Sequence, residues 1–201
     1  MRLLMRPLYL LRFDVFEFGN INAREDEDGM LKTVHALNQL ITAEVDAGIP
    51  ANRIVLGGFS QGAAMSLLTG LTTERRLAGL GILSGWLPIR NKVKAVRAFC
   101  HSTVVIVREL TSTPVKMVSD HAKKLPIFWG HGTADPIVRF DRATLSLEFL
   151  KKELGISTVE PDNVLNGGIE FHAYEDLPHS ADPEELDALK TFMKKVIPAQ
   201  E

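Results

Sequence analysis

The sequence predicts an α/β fold in which a mainly parallel sheet is covered by helices on both faces. Two observations carry the prediction. Short apolar runs, RIVLGGF, AGLGILSG, LPIFWGHG and GIEFHAY, recur along the chain, and they are continuous rather than alternating. That is the mark of strands buried on both faces, as in parallel sheets. The segments between them carry the spacing of helices, and strand alternating with helix implies crossover connections. With 201 residues, 45% of them hydrophobic, the chain is long enough to bury the core of one domain.

The elements follow in order. From Asp26 to Asp46 apolar residues recur at Met30, Val34, Leu37, Ile41 and Val45, the one-face spacing of an amphipathic helix, and Gly48 and Pro50 stop it. A strand Arg53–Gly58 follows, then a helix from Gln61 to about Leu71. Ala78–Gly85 and Leu125–Gly132 are the next buried strands. A helix from Asp141 to Leu154, a strand Gly168–Tyr174 and a last helix from Glu184 to Ile197 complete the chain. No repeat, low-complexity tract or linker divides residues 1–201, which read as a single domain.

Composition excludes several classes of function. The net charge is −2 and the longest cationic runs are pairs such as Lys151-Lys152 and Lys194-Lys195, so no nucleic-acid footprint is present. Cys100 is the only cysteine, which rules out an intrachain disulfide and any Cys/His metal spacing. No metal or cofactor is expected. Arg6, Pro7 and Arg12 interrupt the apolar N-terminus where a signal peptide would need an unbroken core. No segment reaches the length of a membrane span, and no lipidation signal is present, so stable membrane insertion is not expected.

The chemistry is concentrated at three strand ends. In RIVLGGFSQGAAMS a serine sits between an apolar strand and a small-residue helix, with glycine two positions away on either side. A strand that turns straight into a helix strains its junction residue and brings neighbouring backbone close, which glycine permits. In open parallel sheets the functional loops lie beyond the carboxyl ends of the strands. Ser60, Asp135 and His179 stand at such ends, in the chain order of an α/β-hydrolase triad. A serine hydroxyl needs a neutral imidazole to take its proton, and a carboxylate must fix the tautomer of that imidazole. Other histidines read as structural or solvated, His131 as a satisfied strand-end residue and His35 as an exposed one. Cys100-His101 has no elbow to make it a nucleophile.

On these residues the sequence resembles the acyl-protein thioesterases, a lysophospholipase/carboxylesterase-like family of cytosolic serine hydrolases. The resemblance rests on IPANRIVLGGFSQGAAMSLLTGLTTERRLAGLGILSGWLP (Ile49–Pro88), PIFWGHGTADPIV (Pro126–Val138) and FHAYEDLPHS (Phe171–Ser180), with RFDVFEFGN and EDEDGM near the start. It implies an α/β-hydrolase in which Ser60 is the nucleophile, Asp135 the orienting acid and His179 the general base. The Gln61 backbone N–H would be one oxyanion donor. Trp86, Leu87, Pro88 and Leu177 match positions near the family's acyl-binding cleft. The implied substrates are S-acylated proteins, with lysophospholipids and simple esters beside them, and the implied location is the cytoplasm and the nucleus. The resemblance leaves the oligomeric state open.

Two departures from the family pattern shape the expectation. The family's N-terminal strands and its HGxGD-type oxyanion loop have no counterpart ahead of Ser60, so the domain reads as partial, with MRLLMRPLYLL the product of a misplaced start. Ala95–Lys116 reads as an atypical insertion, either a translated intron that keeps the frame or a genuine active-site loop, and TVVIV within it reads as a strand. The functional choice therefore lies between an active hydrolase of acyl thioesters or esters and a catalytically impaired hydrolase-like fragment or lipid-binding relic.

Overall fold

A computed structural model of the chain describes residues 13–14, 24–95 and 118–199. The expected TVVIV strand, and all of Ala95–Lys116 beyond its first residue, lie outside the described residues.

The first helix, α1 (Glu27–Asp46), starts where the sequence places it, because the Asp26 side chain accepts the Gly29 N–H at 3.0 Å and Glu27 and Asp28 complement the positive end of the helix. Its buried positions are Met30, Thr33, Leu37 and Ile41. Thr33 lies in the stripe because its hydroxyl is satisfied locally, donating to the Gly29 carbonyl at 2.8 Å, while Val34 is only partly buried. A 3₁₀ turn at Ala51–Arg53 leads into β1 (Val55–Phe59). Then come α2 (Gln61–Thr72), β2 (Gly79–Leu83), the short α3 (Arg90–Ala95), β3 (Pro126–Gly132), α4 (Phe140–Phe149), β4 (Gly168–Tyr174) and α5 (Pro183–Val196). The sequence predicts no helix at α3. It predicts one continuous helix to Leu154, whereas α4 passes into a π turn over Leu150–Leu154 that ends on Gly155 in the left-handed conformation (φ 67°).

The strands lie side by side in chain order and every pair is parallel. Right-handed connections are the rule between parallel strands, so helices that join strands stepping in one direction share a face. The core shows this division. Leu80 and Ile82 of β2, Ile127 and Trp129 of β3 and Ile169 of β4 pack with Met30, Leu37, Leu67, Leu71 and Ala143 from α1, α2 and α4. The alternate residues face α5, where Leu83 and Phe128 pack with Phe192. Glycines at that face let α5 lie close to the sheet: a Cβ on Gly81 would stand 3.0 Å from Leu189, and one on Gly130 would collide with the Glu185 carboxylate.

Both faces are therefore covered, and the loops leaving the carboxyl ends of β1, β2, β3 and β4 open on one end of the sheet. β1 and β4 are the edge strands among the described residues, and on β1 Gly57 and Phe59 are exposed.

Candidate active site

Ser60 belongs to a strand and a helix at once. Its N–H donates to the Leu83 carbonyl at 2.9 Å, extending the pairing of β1 with β2, and its own carbonyl accepts the Ala64 N–H at 3.0 Å, opening α2. One residue must make the whole change of direction, and it does so at φ 56°, ψ −119°. Such a conformation costs about 1–3 kcal/mol and persists only where its surroundings impose it. The imposition comes from Gly58: a Cβ there would lie 2.5 Å from the Gly62 carbonyl carbon and 2.9 Å from the Ala63 nitrogen. Gly62, which the sequence reading treats in the same way, differs, because a Cβ on it would meet no atom within 4 Å. The Ser60 side chain makes no capping bond to α2 and its hydroxyl is left for other work. Gln61 is the first residue of α2, so its backbone N–H points out of the helix with no intrahelical acceptor, at the positive end of the helix dipole. The Gln61 side chain donates to the Phe13 carbonyl at 3.1 Å and ties that segment to the elbow.

The Asp135 carboxylate is fully buried beyond β3. Its Oδ1 accepts two backbone N–H groups, from Ile137 at 2.8 Å and Val138 at 2.9 Å. Its Oδ2 faces His179 Nδ1 at 2.7 Å, from the loop beyond β4. A carboxylate only accepts, so Nδ1 carries the proton and Nε2 of the neutral ring is left as a base. The His179 ring packs on Phe59, the residue before Ser60, with centroids 4.6 Å apart. The structure thus brings Asp135 and His179 into direct contact and sets both beside the elbow. The Ser60 hydroxyl itself makes no hydrogen bond to His179 here, as is common for catalytic contacts before substrate arrives.

The loops that hold the pair are braced through Leu177, whose carbonyl accepts the Ala134 N–H at 3.2 Å and lies against Gly132, where any Cβ would strike it. The Leu177 side chain is buried. Trp86, Leu87 and Pro88 are buried too, in a loop beyond β2 whose ends, Ser84 (φ 48°) and Ile89 (φ 43°), are both strained. A β-branched residue at positive φ is a genuine outlier. It is held by Glu25, whose carboxylate accepts the Ile89 N–H at 2.8 Å and sits 3.8 Å from Arg142. Burial pushes the Glu25 carboxyl up, against the pull of that N–H and of the Arg142 guanidinium. Arg142 lies 4.4 Å over the Trp86 ring, and Phe13 meets the same ring edge-on. The Trp86 N–H lies close enough to act on Glu25 but makes no aligned hydrogen bond to it.

The apolar surface next to the pair comes instead from residues the sequence reading did not single out. Phe59 is 38% exposed and Ile137 40% exposed. Their signal was available in their positions, each next to or two residues from a member of the triad. Among the described residues no cluster of three or more His, Cys, Asp or Glu is placed to hold a metal ion. No described helix is long and apolar enough to cross a membrane.

Comparison with known proteins bears on the family and the fold. A profile of the phospholipase/carboxylesterase family matches residues 11–115 and 94–197. The chain is 40% identical over 188 residues to acyl-protein thioesterase 1 of Cryptococcus neoformans, covering 92% of this chain and 70% of that protein. It is 39% identical over 196 residues to acyl-protein thioesterase 1 of Mycosarcoma maydis, covering 94% and 70%. The crystal structure of Arabidopsis thaliana SOBER1 superposes with a TM-score of 0.70 at 27% identity over 92% of this chain and 73% of that one. Zea mays acyl-protein thioesterase 2 shares the fold, with a TM-score of 0.66 at 23% identity over 92% and 71%.

Proposed function

The chain belongs to the phospholipase/carboxylesterase family, as an α/β-hydrolase of acyl-protein thioesterase type, and from that premise we propose that it cleaves long-chain acyl thioesters on protein cysteines through Ser60, His179 and Asp135. The observation that carries the proposal is the 2.7 Å contact between His179 Nδ1 and the buried Asp135 carboxylate, set beside the strained Ser60 elbow.

In the reaction Ser60 Oγ attacks the thioester carbonyl carbon while His179 Nε2 takes its proton. The imidazolium that forms is stabilised by Asp135, whose charge is fixed by two backbone N–H groups. The carbonyl oxygen becomes an oxyanion facing the Gln61 N–H and the N-terminus of α2, where negative charge is favoured. Collapse breaks the carbon–sulfur bond, and His179 returns its proton to the cysteine sulfur. Water, activated by the same imidazole, then releases the fatty acid and regenerates Ser60. A thiol near pKa 8.5 is a far better leaving group than an amine, which favours thioesters and activated esters over amides.

The acyl chain is the finer part of the proposal. Phe59 and Ile137 offer exposed apolar surface beside the reacting groups, and each buried CH₂ is worth about 0.8 kcal/mol. Trp86, Leu87 and Pro88, which the family resemblance matches to the acyl cleft, are buried and offer it no exposed contact. Lysophospholipids and simple esters present the same carbonyl chemistry and fall within the proposal, as does action in the cytoplasm and nucleus, in keeping with the single cysteine.

A fluorophosphonate probe tests the nucleophile. It should label the chain once, at Ser60, and Ser60→Ala should abolish both labelling and palmitoyl-thioester turnover; labelling that survives the substitution would overturn the assignment.

A further inference from the structure

Asp135 Oδ2 faces two histidines. His179 Nδ1 is at 2.7 Å, and His131 Nε2, at the end of β3, is at 3.7 Å with its side chain wholly buried. The two rings are not equivalent. His131 Nε2 lies 2.7 Å from the Val138 carbonyl, and a carbonyl oxygen only accepts, so this nitrogen carries a proton. His131 Nδ1 is buried with no hydrogen-bond partner, so a second proton there would be an orphaned, charged donor. Burial also holds this imidazole below the ordinary histidine range, against the pull of the Val138 carbonyl and of Asp135 and with the push of His179. Two further neighbours are uncharged: the Phe140 ring of α4 meets His131 edge-on at 5.9 Å, and Ala173 is its partner on β4. His131 is a neutral ring of fixed tautomer.

Val138 is then gripped at both ends. Its N–H donates to Asp135 Oδ1 at 2.9 Å, and its carbonyl accepts from His131 at 2.7 Å. The same turn delivers the Ile137 N–H to Oδ1. We propose that His131 is the positioning residue of the acid–base pair: through Val138 it fixes the turn that aims the Asp135 carboxylate, and with its Nε2–H given to the Val138 carbonyl it does not compete with His179 for that carboxylate. This goes beyond packing, because the group being aimed stabilises a charge that appears only during the reaction.

The inference rests on the hydrolase reading, and the test separates the two. His131→Phe keeps ring volume and loses the bond to Val138; His131→Gln offers an amide N–H to the same carbonyl. For His131→Phe, kcat for an acyl thioester should fall about 10- to 100-fold, the range expected when a catalytic group is displaced by a fraction of an ångström to an ångström, while KM changes little. The acidic limb of its kcat/KM profile should move to lower pH, since a misaimed Asp135 stabilises the imidazolium less. His131→Gln should recover most of kcat and the original limb. A His131→Phe chain that is folded with kcat and limb unchanged would overturn the proposal, as would a loss that follows the folded fraction alone with no movement of the limb. Nitrogen-15 NMR of the histidines in the unsubstituted chain gives a second reading that needs no variant. The Nε2–H tautomer at His131, unchanged from about pH 5 to 8, is expected, and a His131 that takes up a second proton in that range would refute it. Should the unsubstituted chain hydrolyse no ester at all, the hydrolase reading falls, while the NMR result still decides whether His131 is the neutral clamp described.

Discussion

Replacing Glu185 by Gln should change how the stability of the chain depends on pH. Glu185 sits in the first turn of α5, wholly buried, with neither carboxylate oxygen hydrogen-bonded, in the space that Gly130 leaves by having no side chain. Burial first, and the nearby Asp182 second, push its carboxyl from 4.5 up to about 7. A raised value means that the folded state holds the proton more tightly than the unfolded one. The contribution to stability is therefore fully present below about pH 4.5 and is lost as pH rises towards 7. At about 1.4 kcal/mol per pH unit the loss is about 3 kcal/mol, an upper value because Glu184 and Leu186 on either side are exposed and water is near. The assay is urea unfolding of the unsubstituted chain and Glu185→Gln at intervals from pH 4.5 to 8.5. The amide is buried and unpaired at every pH, so it adds a constant offset and leaves the difference in slope clean. The unsubstituted chain should lose about 2–3 kcal/mol more than the variant across this range. Parallel curves would refute the reasoning, and would mean that Glu185 is hydrated or paired in solution.

Two further outcomes follow from the site. Asp135→Asn should lower turnover by about 10⁴ with the melting temperature little changed, since the amide can offer N–H where His179 Nδ1 needs an acceptor; kcat measured beside a thermal melt checks both halves. Gly58→Ala should destabilise the fold by about 1–3 kcal/mol and depress kcat by more than the loss of folded chain explains, because its Cβ meets the backbone of Gly62 and Ala63 and must displace the elbow. Normal turnover in a stable Gly58→Ala chain would show that the strain at Ser60 is not imposed there.

Much of the site was legible in the sequence because its rules are local. An apolar strand running into a small-residue helix marks Ser60, and the apolar strands ahead of Asp135 and His179 put both at the same end of the sheet. What was not legible depends on residues far apart in the chain. Glu185 is not singled out by the sequence reading, which only places it in the last helix, yet Gly130, on another element, makes room to bury it. A signal existed, because Glu185 shares a helical stripe with Leu189, Phe192 and Val196 of α5. His131 reads as a satisfied structural histidine. Only the fold shows that its hydrogen-bond partner is the carbonyl of Val138 and that its other nitrogen has no hydrogen bond. Trp86, Leu87 and Pro88 lie in the expected region beyond β2 but are buried, in a loop that ends on Ile89 held by Glu25, and no propensity scale would assign a positive φ to isoleucine. Phe59 and Ile137 supply the exposed apolar surface instead.

The central claim is that Ser60, activated by the His179–Asp135 pair, carries the acyl group in a covalent intermediate, and rapid-quench mass spectrometry measures it directly. The chain is mixed with a palmitoylated cysteine peptide, quenched in acid within the first turnover and digested. The account predicts release of one thiol per chain in the first turnover, with one palmitoyl group on the peptide that contains Ser60, absent from Ser60→Ala and accumulating more slowly in Asp135→Asn. Thiol release with Ser60 unmodified, or a palmitoyl group carried on any other residue, would contradict it.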